Sequence, residues 1–514
     1  MWRSRLVTWT YVLPVQHTSQ KESRMHFNVS RWVLLSAFVL SPLVHAQSSG
    51  QLDLADLAAY ANQPVPSFVT RDNTPANNPL TDGGATLGRV LFYDKKLSVD
   101  NTVSCASCHQ QEHAFGDTAQ ISQGVNGTTG RHSMRLINAR FSAKERVFWD
   151  ERAASLEEQA TLPIQDHAEM GFSGKDGDPG LDSLLHRMAD LGYYQVLFDF
   201  VYGDPEITEP RMQLAIAQFI RSIQSFDSRF DEQLAQVGDI EAPFPGFSPE
   251  ENAGKGFFLG TPVFDDNGLR RSGGFGCSGC HVPPEFSIKL DSGNNGFTVS
   301  MLGGRDFGNT RAPALRDLVG PEGRSNGGLM HTGSLSLRRA VDHYEFIQLA
   351  AGNTRIDPDL VINGNGWHLE MLQHERAEVV EFLTTLTGSN VYRDEKWSDP
   401  FDLDGNLIVI PAATATHVES EGQASALTFE LAQNFPNPFN PTTTIAYRVS
   451  QASNVSLMIY NVLGQQIATP VRDFHSAGNY RLHFDGTGLT SGMYFYRLFS
   501  DGQLVQTRKM LLSR

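Results

Sequence analysis

The chain has 514 residues, 40% hydrophobic, 10% aromatic and 19% charged, an ordinary globular make-up with room for about three domains. Its 41 Lys and Arg against 57 Asp and Glu leave a formal net charge of -16. That balance argues against nucleic acid or an anionic membrane as partner and favours a partner with a basic face.

In chain order, residues 1–46 read as an export signal. Arg31 precedes an apolar run from Trp32 to Val44, and Val44-His45-Ala46 offers a small-residue cleavage site before Gln47. Residues 1–24 are polar for such a signal, so Met25 is the expected start. The apolar run is too short to span a bilayer, and no transmembrane segment is expected later.

Residues 47–235 form a first, largely helical region. Ser155 stands three residues before Glu158, a helix-start signature, and Leu214, Ala217, Ile220 and Ile223 mark a helical face within Arg211 to Phe230. The Gly- and Asp-rich run from Gly171 to Gly180 is a connecting loop. A second region, 236–396, opens with a Pro-rich hinge from Pro243 to Phe247 and closes with a helix from Glu375 to Leu386. Residues 397–426 read as a linker. From 427 to 514 the pattern changes to short alternating strands at Thr443 to Val449, Val455 to Tyr460, Tyr480 to Phe484 and Met493 to Phe499, punctuated by glycines. The expected fold is mainly α: two related helical domains followed by a small C-terminal β-sandwich.

The chemistry lies in a repeated motif. Cys105-Ala106-Ser107-Cys108-His109 and Cys277-Ser278-Gly279-Cys280-His281 are both Cys-x-x-Cys-His, and together they use all four cysteines. This is the attachment signal for c-type haem: the two thiols bond to the haem vinyl groups, and the adjacent His ligates the iron. Two zinc half-sites or two redox dithiols would not require His at the same offset twice. Two covalent haems are expected, with His109 and His281 as iron ligands and no disulfide. Export fits, because c-type haem is attached outside the cytoplasm.

Residues from about 80 to 390 resemble the bacterial dihaem cytochrome c peroxidase family, including its MauG-type branch. The resemblance rests first on Phe148-Trp149-Asp150-Glu151-Arg152-Ala153, then Leu156 to Ala160, Pro163-Ile164 and Glu169-Met170. Arg311 to Arg316, Met330 to Leu335 and Val341-Asp342-His343-Tyr344 extend it through the second region. The family usually has Gly where this chain has Glu151. The resemblance implies that the first haem reacts with hydrogen peroxide, with Glu169 moving the proton and Gln159 as its hydrogen-bonding neighbour. It implies Trp149 between the haems, and a calcium ion near Asn138. A small redox protein such as a cytochrome c would donate electrons.

Two positions decide the branch. Many relatives carry a displaceable distal His in the loop that here runs Ser122 to Gly127; Val125 falls at that position, while His113 and His132 lie at other offsets and read as surface or packing residues. The first haem is therefore expected to be open in the oxidised protein. At the second haem the resemblance offers Met in the peroxidases and Tyr in the MauG branch. Tyr344 is the favoured ligand here, with Met330 and His343 as alternatives and His331 as a supporting residue. Three functions follow: a peroxidase reducing peroxide to water, a MauG-type oxidase of a protein or organic substrate, or an electron-transfer cytochrome. Retention of Glu169 and Gln159 argues against the last, since a carrier needs no proton-transfer acid over an open iron.

The C-terminal strands resemble the type IX secretion sorting domain, on Asn434-Phe435-Pro436-Asn437-Pro438, Tyr460 to Gly464, Leu489 to Tyr494 and Lys509-Met510. That resemblance implies passage through the periplasm and delivery by the type IX machinery to the cell surface or medium.

Overall fold

The computed structural model describes residues 50–411, 416–421 and 429–513. The export signal, its Met25 start and the cleavage site lie outside the described residues, as do residues 412–415 and 422–426 of the expected linker.

The two regions bearing the Cys-x-x-Cys-His motifs are built on the same device, a pair of helices crossing at a glycine. Helix Asp82–Tyr93 starts at Thr81, whose hydroxyl accepts from the Gly84 amide. It crosses helix Glu209–Ser222 so closely that a Cβ on Gly88 would stand 2.0 Å from the Ala215 carbonyl oxygen. In the second region helix Pro249–Leu259 crosses Gln373–Thr384, and a Cβ on Gly254 would stand 1.8 Å from the Glu378 carbonyl oxygen. Ordinary helix pairs keep backbones further apart; only a missing side chain allows this contact.

Gly88→Ala is therefore expected to lower stability by about 3 kcal/mol, at the upper end for overpacking. The check is a denaturant midpoint measured beside Gly192→Ala, a position with nothing within 4 Å of the added carbon. Equal midpoints for the two variants would refute the tight crossing.

Of these four helices, the sequence pattern marked Glu209–Ser222 and Gln373–Thr384, and it ran the first of them too far. The expected helix from Arg211 to Phe230 is two helices, Glu209–Ser222 and Arg229–Val237, the second capped by Ser228. Ser155 caps helix Leu156–Ala160 as expected, its side chain accepting from the Glu158 amide. Long irregular segments connect the helices, and the helical share of 26% is lower than the expectation of a mainly α chain.

Each motif region has its own core. The first gathers Leu87, Phe92, Phe115 and Phe219. Val391, Tyr392, Trp397, Phe401 and Leu407 also belong to it. The chain thus returns to the first region after completing the second, and residues 397–409, expected as linker, pack against the first core. Trp397 is 2% exposed, and its carbonyl accepts from the Tyr93 hydroxyl at 2.7 Å. Strand Ile408–Ile410 pairs in parallel with Gln51–Asp53. The second core holds Phe230, Phe258, Phe286 and Phe382, and includes Phe244 and Phe247 of the expected hinge. Burying two aromatic rings makes that segment a packed connection.

The C-terminal region forms two four-stranded sheets. One runs Glu430–Leu431, Thr442–Val449, Gly478–Asp485, Thr416–Glu421; the other runs Gln466–His475, Ser453–Tyr460, Gly492–Ser500, Gln503–Leu512. Ile445, Leu457, Leu482, Tyr496 and Leu498 share one core. The four expected strands are present, joined by four more.

Candidate active site

The first cavity opens on helix Cys105–Cys108 and the histidine that follows it. His109 Nδ1 lies 3.3 Å from the Phe115 carbonyl oxygen, so it carries the proton and leaves Nε2 as the basic nitrogen. Burial pushes the His109 pKa down and keeps the ring neutral, the form that binds a metal. The second cavity opens in the same way on the turn Cys277–Gly279 and on His281, which burial lowers to about 4. The four cysteines form no disulfide with one another. Each motif has its own cavity, so the four cysteines do not converge on one zinc ion. Among the described residues the one cluster of His, Cys, Asp or Glu ligand atoms is Cys280, Asp357 and Asp359, and Lys289 bridges its two carboxylates. Two thiols and a neutral imidazole facing each cavity fit haem c.

The two cavities share a wall that includes His132, Met134, Arg135, Trp149, Arg311 and Pro313. Trp149 is thus common to both. Its indole N–H donates to the His132 carbonyl at 2.7 Å, and its own carbonyl accepts from the Arg311 amide at 3.1 Å. His132 is buried at 6% exposure, with Nδ1 against the Gln120 carbonyl, as a packing residue would be.

Glu169 and Gln159 both line the first cavity. Burial raises the Glu169 carboxyl, the nearby Asp166 charge adds to that, and Arg152 opposes, for a value of about 7. The Glu169 backbone is fixed from two sides. Asp166 accepts from the Ala168 and Glu169 amides, while the Val125 amide donates to the Glu169 carbonyl at 3.0 Å. Gly124 lies so close that a Cβ there would be 2.0 Å from the Ala168 carbonyl oxygen. Loop 122–127 is therefore fastened to the strip carrying Glu169. Val125 packs toward Gly171 with Val99, and the histidines lining this cavity are His109 and His132.

Tyr344 and Met330 line the second cavity together. Burial pushes the Tyr344 phenol up, and a hydrogen bond from Asn295 pulls the other way. His343 Nε2 donates to the Asn295 carbonyl at 3.0 Å. His331 is 1% exposed and uses both ring nitrogens, Nε2 donating to the Val299 carbonyl and Nδ1 accepting from Asn309. It supports the wall beside Trp149, with ring centroids 6.2 Å apart.

Glu151 explains its own departure from the family pattern. It sits at φ 58, a conformation that glycine adopts freely and other residues resist. Its carboxylate accepts from Lys144 Nζ at 2.6 Å and from the Thr310 hydroxyl at 2.5 Å. Burial would raise this carboxyl, but Lys144 and Thr310 outweigh it and hold it below its ordinary value. Lys144 is itself 4% exposed, so Glu151 neutralises a buried ammonium. Sequence reasoning passed over Lys144 and Asn295; neither carries a local motif. Asn138 is buried, its amide exchanging hydrogen bonds with the Ser225 main chain in both directions. A calcium ion there would have to share the oxygen already used by that amide.

The di-haem cytochrome c peroxidase profile matches residues 82–238. The methylamine utilization protein MauG of Methylorubrum extorquens is 30% identical over 357 residues, covering 66% of this chain and 86% of that protein. The chain belongs to the di-haem cytochrome c peroxidase and MauG family. MauG of Methylophilus methylotrophus is 29% identical over 356 residues, covering 66% of this chain and 93% of its own length. A solved MauG-like protein associated with microbial copper homeostasis matches with a TM-score of 0.51 at 24% identity, covering 66% of this chain and 99% of its own; that likeness speaks for the fold. This family member is an oxidoreductase with haem c as its cofactor. A secretion system C-terminal sorting domain profile matches residues 433–513, marking the chain for type IX export. No helix among the described residues is long and apolar enough to cross a membrane.

Proposed function

We propose that the protein is an exported dihaem peroxidase that reduces hydrogen peroxide to water at its first cavity. The observation that carries this reading is Glu169: a half-buried carboxyl raised to about 7, lining with Gln159 a cavity whose other lining histidine, His132, is engaged by its packing. Cys105, Cys108 and His109 would hold haem c, which would supply the iron for the reduction of peroxide. Glu169 takes the proton from one peroxide oxygen and hands it to the other as the O–O bond breaks. Gln159 offers an amide to orient the peroxide. Trp149, in the wall common to both cavities, offers an oxidisable ring on the electron path from the haem held by Cys277, Cys280 and His281. The donor is a small redox protein, and the acidic surface of this chain suits one with a basic face. Delivery by the sorting domain places the enzyme at the cell surface or in the medium.

A second reading, a MauG-type oxidase of a protein or organic substrate, is favoured by Tyr344 in the second cavity. A phenolate ligand there stabilises ferric iron, whereas a thioether would raise the potential.

Rapid mixing of the fully oxidised protein with equimolar peroxide tests the open first cavity. A prompt Soret change is expected, because the resemblance puts Val125 at the position where many family members carry a displaceable His. A change that appears only after one electron has been added would refute it.

A further inference from the structure

We propose that Asn295 is a positioning residue that selects Tyr344 over Met330 as the distal group of the second cavity. The inference deepens, and rests on, the Tyr344 reading above. Asn295 Oδ1 accepts from the Phe297 amide at 3.1 Å, which settles which end of the side-chain amide points where. Nδ2 is thereby turned to the Tyr344 hydroxyl oxygen at 3.0 Å and to Met330 Sδ at 3.4 Å. Its two N–H groups reach the two competitors at once.

Their effects differ. An N–H aimed at the phenol oxygen stabilises negative charge there, as a charge-assisted hydrogen bond. A thioether has no charge to gain and is only a weak acceptor, so the same N–H does less for it. The third candidate is handled by the same residue's backbone, because the Asn295 carbonyl accepts a hydrogen bond from the His343 Nε2–H. One residue therefore favours Tyr344, holds Met330 and engages His343.

The support beneath Asn295 is rigid. Asn294 is 0% exposed, its Nδ2 donates to the Phe307 carbonyl and to Asn353 Oδ1, and its amide donates to the Arg355 carbonyl at 2.7 Å.

The test uses the full-length protein with both haems attached. Ferric absorbance and resonance Raman spectra are compared for the native protein, Asn295→Asp, Asn295→Leu and Tyr344→Phe. Asn295→Asp keeps the shape and the Phe297 contact but turns an acceptor towards the phenol oxygen. The native protein is expected to show iron–phenolate bands that vanish in Tyr344→Phe. In Asn295→Asp the ratio of phenolate- to thioether-ligated protein should fall by about tenfold or more. Asn295→Leu should shift it the same way, and serves if the Asp variant loses haem. Phenolate spectra unchanged in both Asn295 variants, with full haem content, would overturn the selection role while leaving Tyr344 as ligand. A Tyr344→Phe spectrum identical to the native one would overturn the Tyr344 reading and the selection role with it.

Discussion

Glu169→Gln is expected to slow the reaction with peroxide by about a hundred- to ten-thousand-fold, the range for removing a positioned proton-transfer group. Both haems should remain attached, because Glu169 belongs to neither Cys-x-x-Cys-His motif. The pH dependence gives an independent handle. Burial and the Asp166 charge raise the Glu169 carboxyl to about 7, so it is protonated below that pH and ionised above it. Taking a proton from peroxide requires the carboxylate. The rate of the native protein should therefore climb through about pH 7 and level off above it. Asn or Gln at position 169 cannot ionise, so that rise should be missing in the variant. Stopped-flow rates from pH 5 to 9, normalised to haem content, decide the matter; a variant that keeps the native rate and the native profile would remove Glu169 from the mechanism.

The largest stability effect is expected at Arg316. This guanidinium is 0% exposed and grips Asp231 with two hydrogen bonds of 2.8 Å, adding a third to the Pro284 carbonyl. Phe226, Phe230 and Phe286 surround it. Asp231 also closes the cap of helix Arg229–Val237 by accepting from the Ser228 amide. Arg316→Met would leave that carboxylate buried and without its counter-charge, a loss of about 3–5 kcal/mol. Adding Asp231→Asn should cost less than the sum of the two single changes, because it removes the stranded charge. Arg316 lines neither cavity, so peroxide reactivity of the folded fraction should be unchanged. Guanidinium titrations of the three variants measure the first two claims, and a double variant as unstable as the summed singles would show the pair to be uncoupled.

What could be read from the sequence follows from how local the signal was. The two haem motifs each occupy five consecutive residues, and their chemistry fixes that spacing. The strands with clean alternation, such as Thr442–Val449 with its strict inside–outside burial, announced themselves. Gln466–His475 did not, because it holds a Pro and four successive buried residues and pairs with a register shift. The return of Trp397 to the first core was equally hidden. Its partners Tyr93 and Ser222 lie far back in the chain, and its neighbours Asp394, Ser398 and Asp399 look like loop composition. Glu151 shows a third kind of concealment: a backbone conformation that suits glycine, offset by an ion pair to a residue seven positions earlier. Asn295 was silent for the same reason as Trp397. Its role comes from Tyr344, 49 positions away, and from an orientation that only the folded Phe297 amide imposes.

The short parallel pairing of Gln51–Asp53 with Ile408–Ile410 bears on how the enzyme is carried. Successive residues of a strand face opposite ways. Val409 packs on the core of the first haem region, while Ile410 belongs to the core of the C-terminal sheets. Asp53 extends the joint by accepting from Gln466 and Thr469, and Asp56 pairs with Arg472. The export module is thus bolted to the catalytic body like a bracket, and whatever grips that module also sets the attitude of the enzyme instead of letting it swing on a tether.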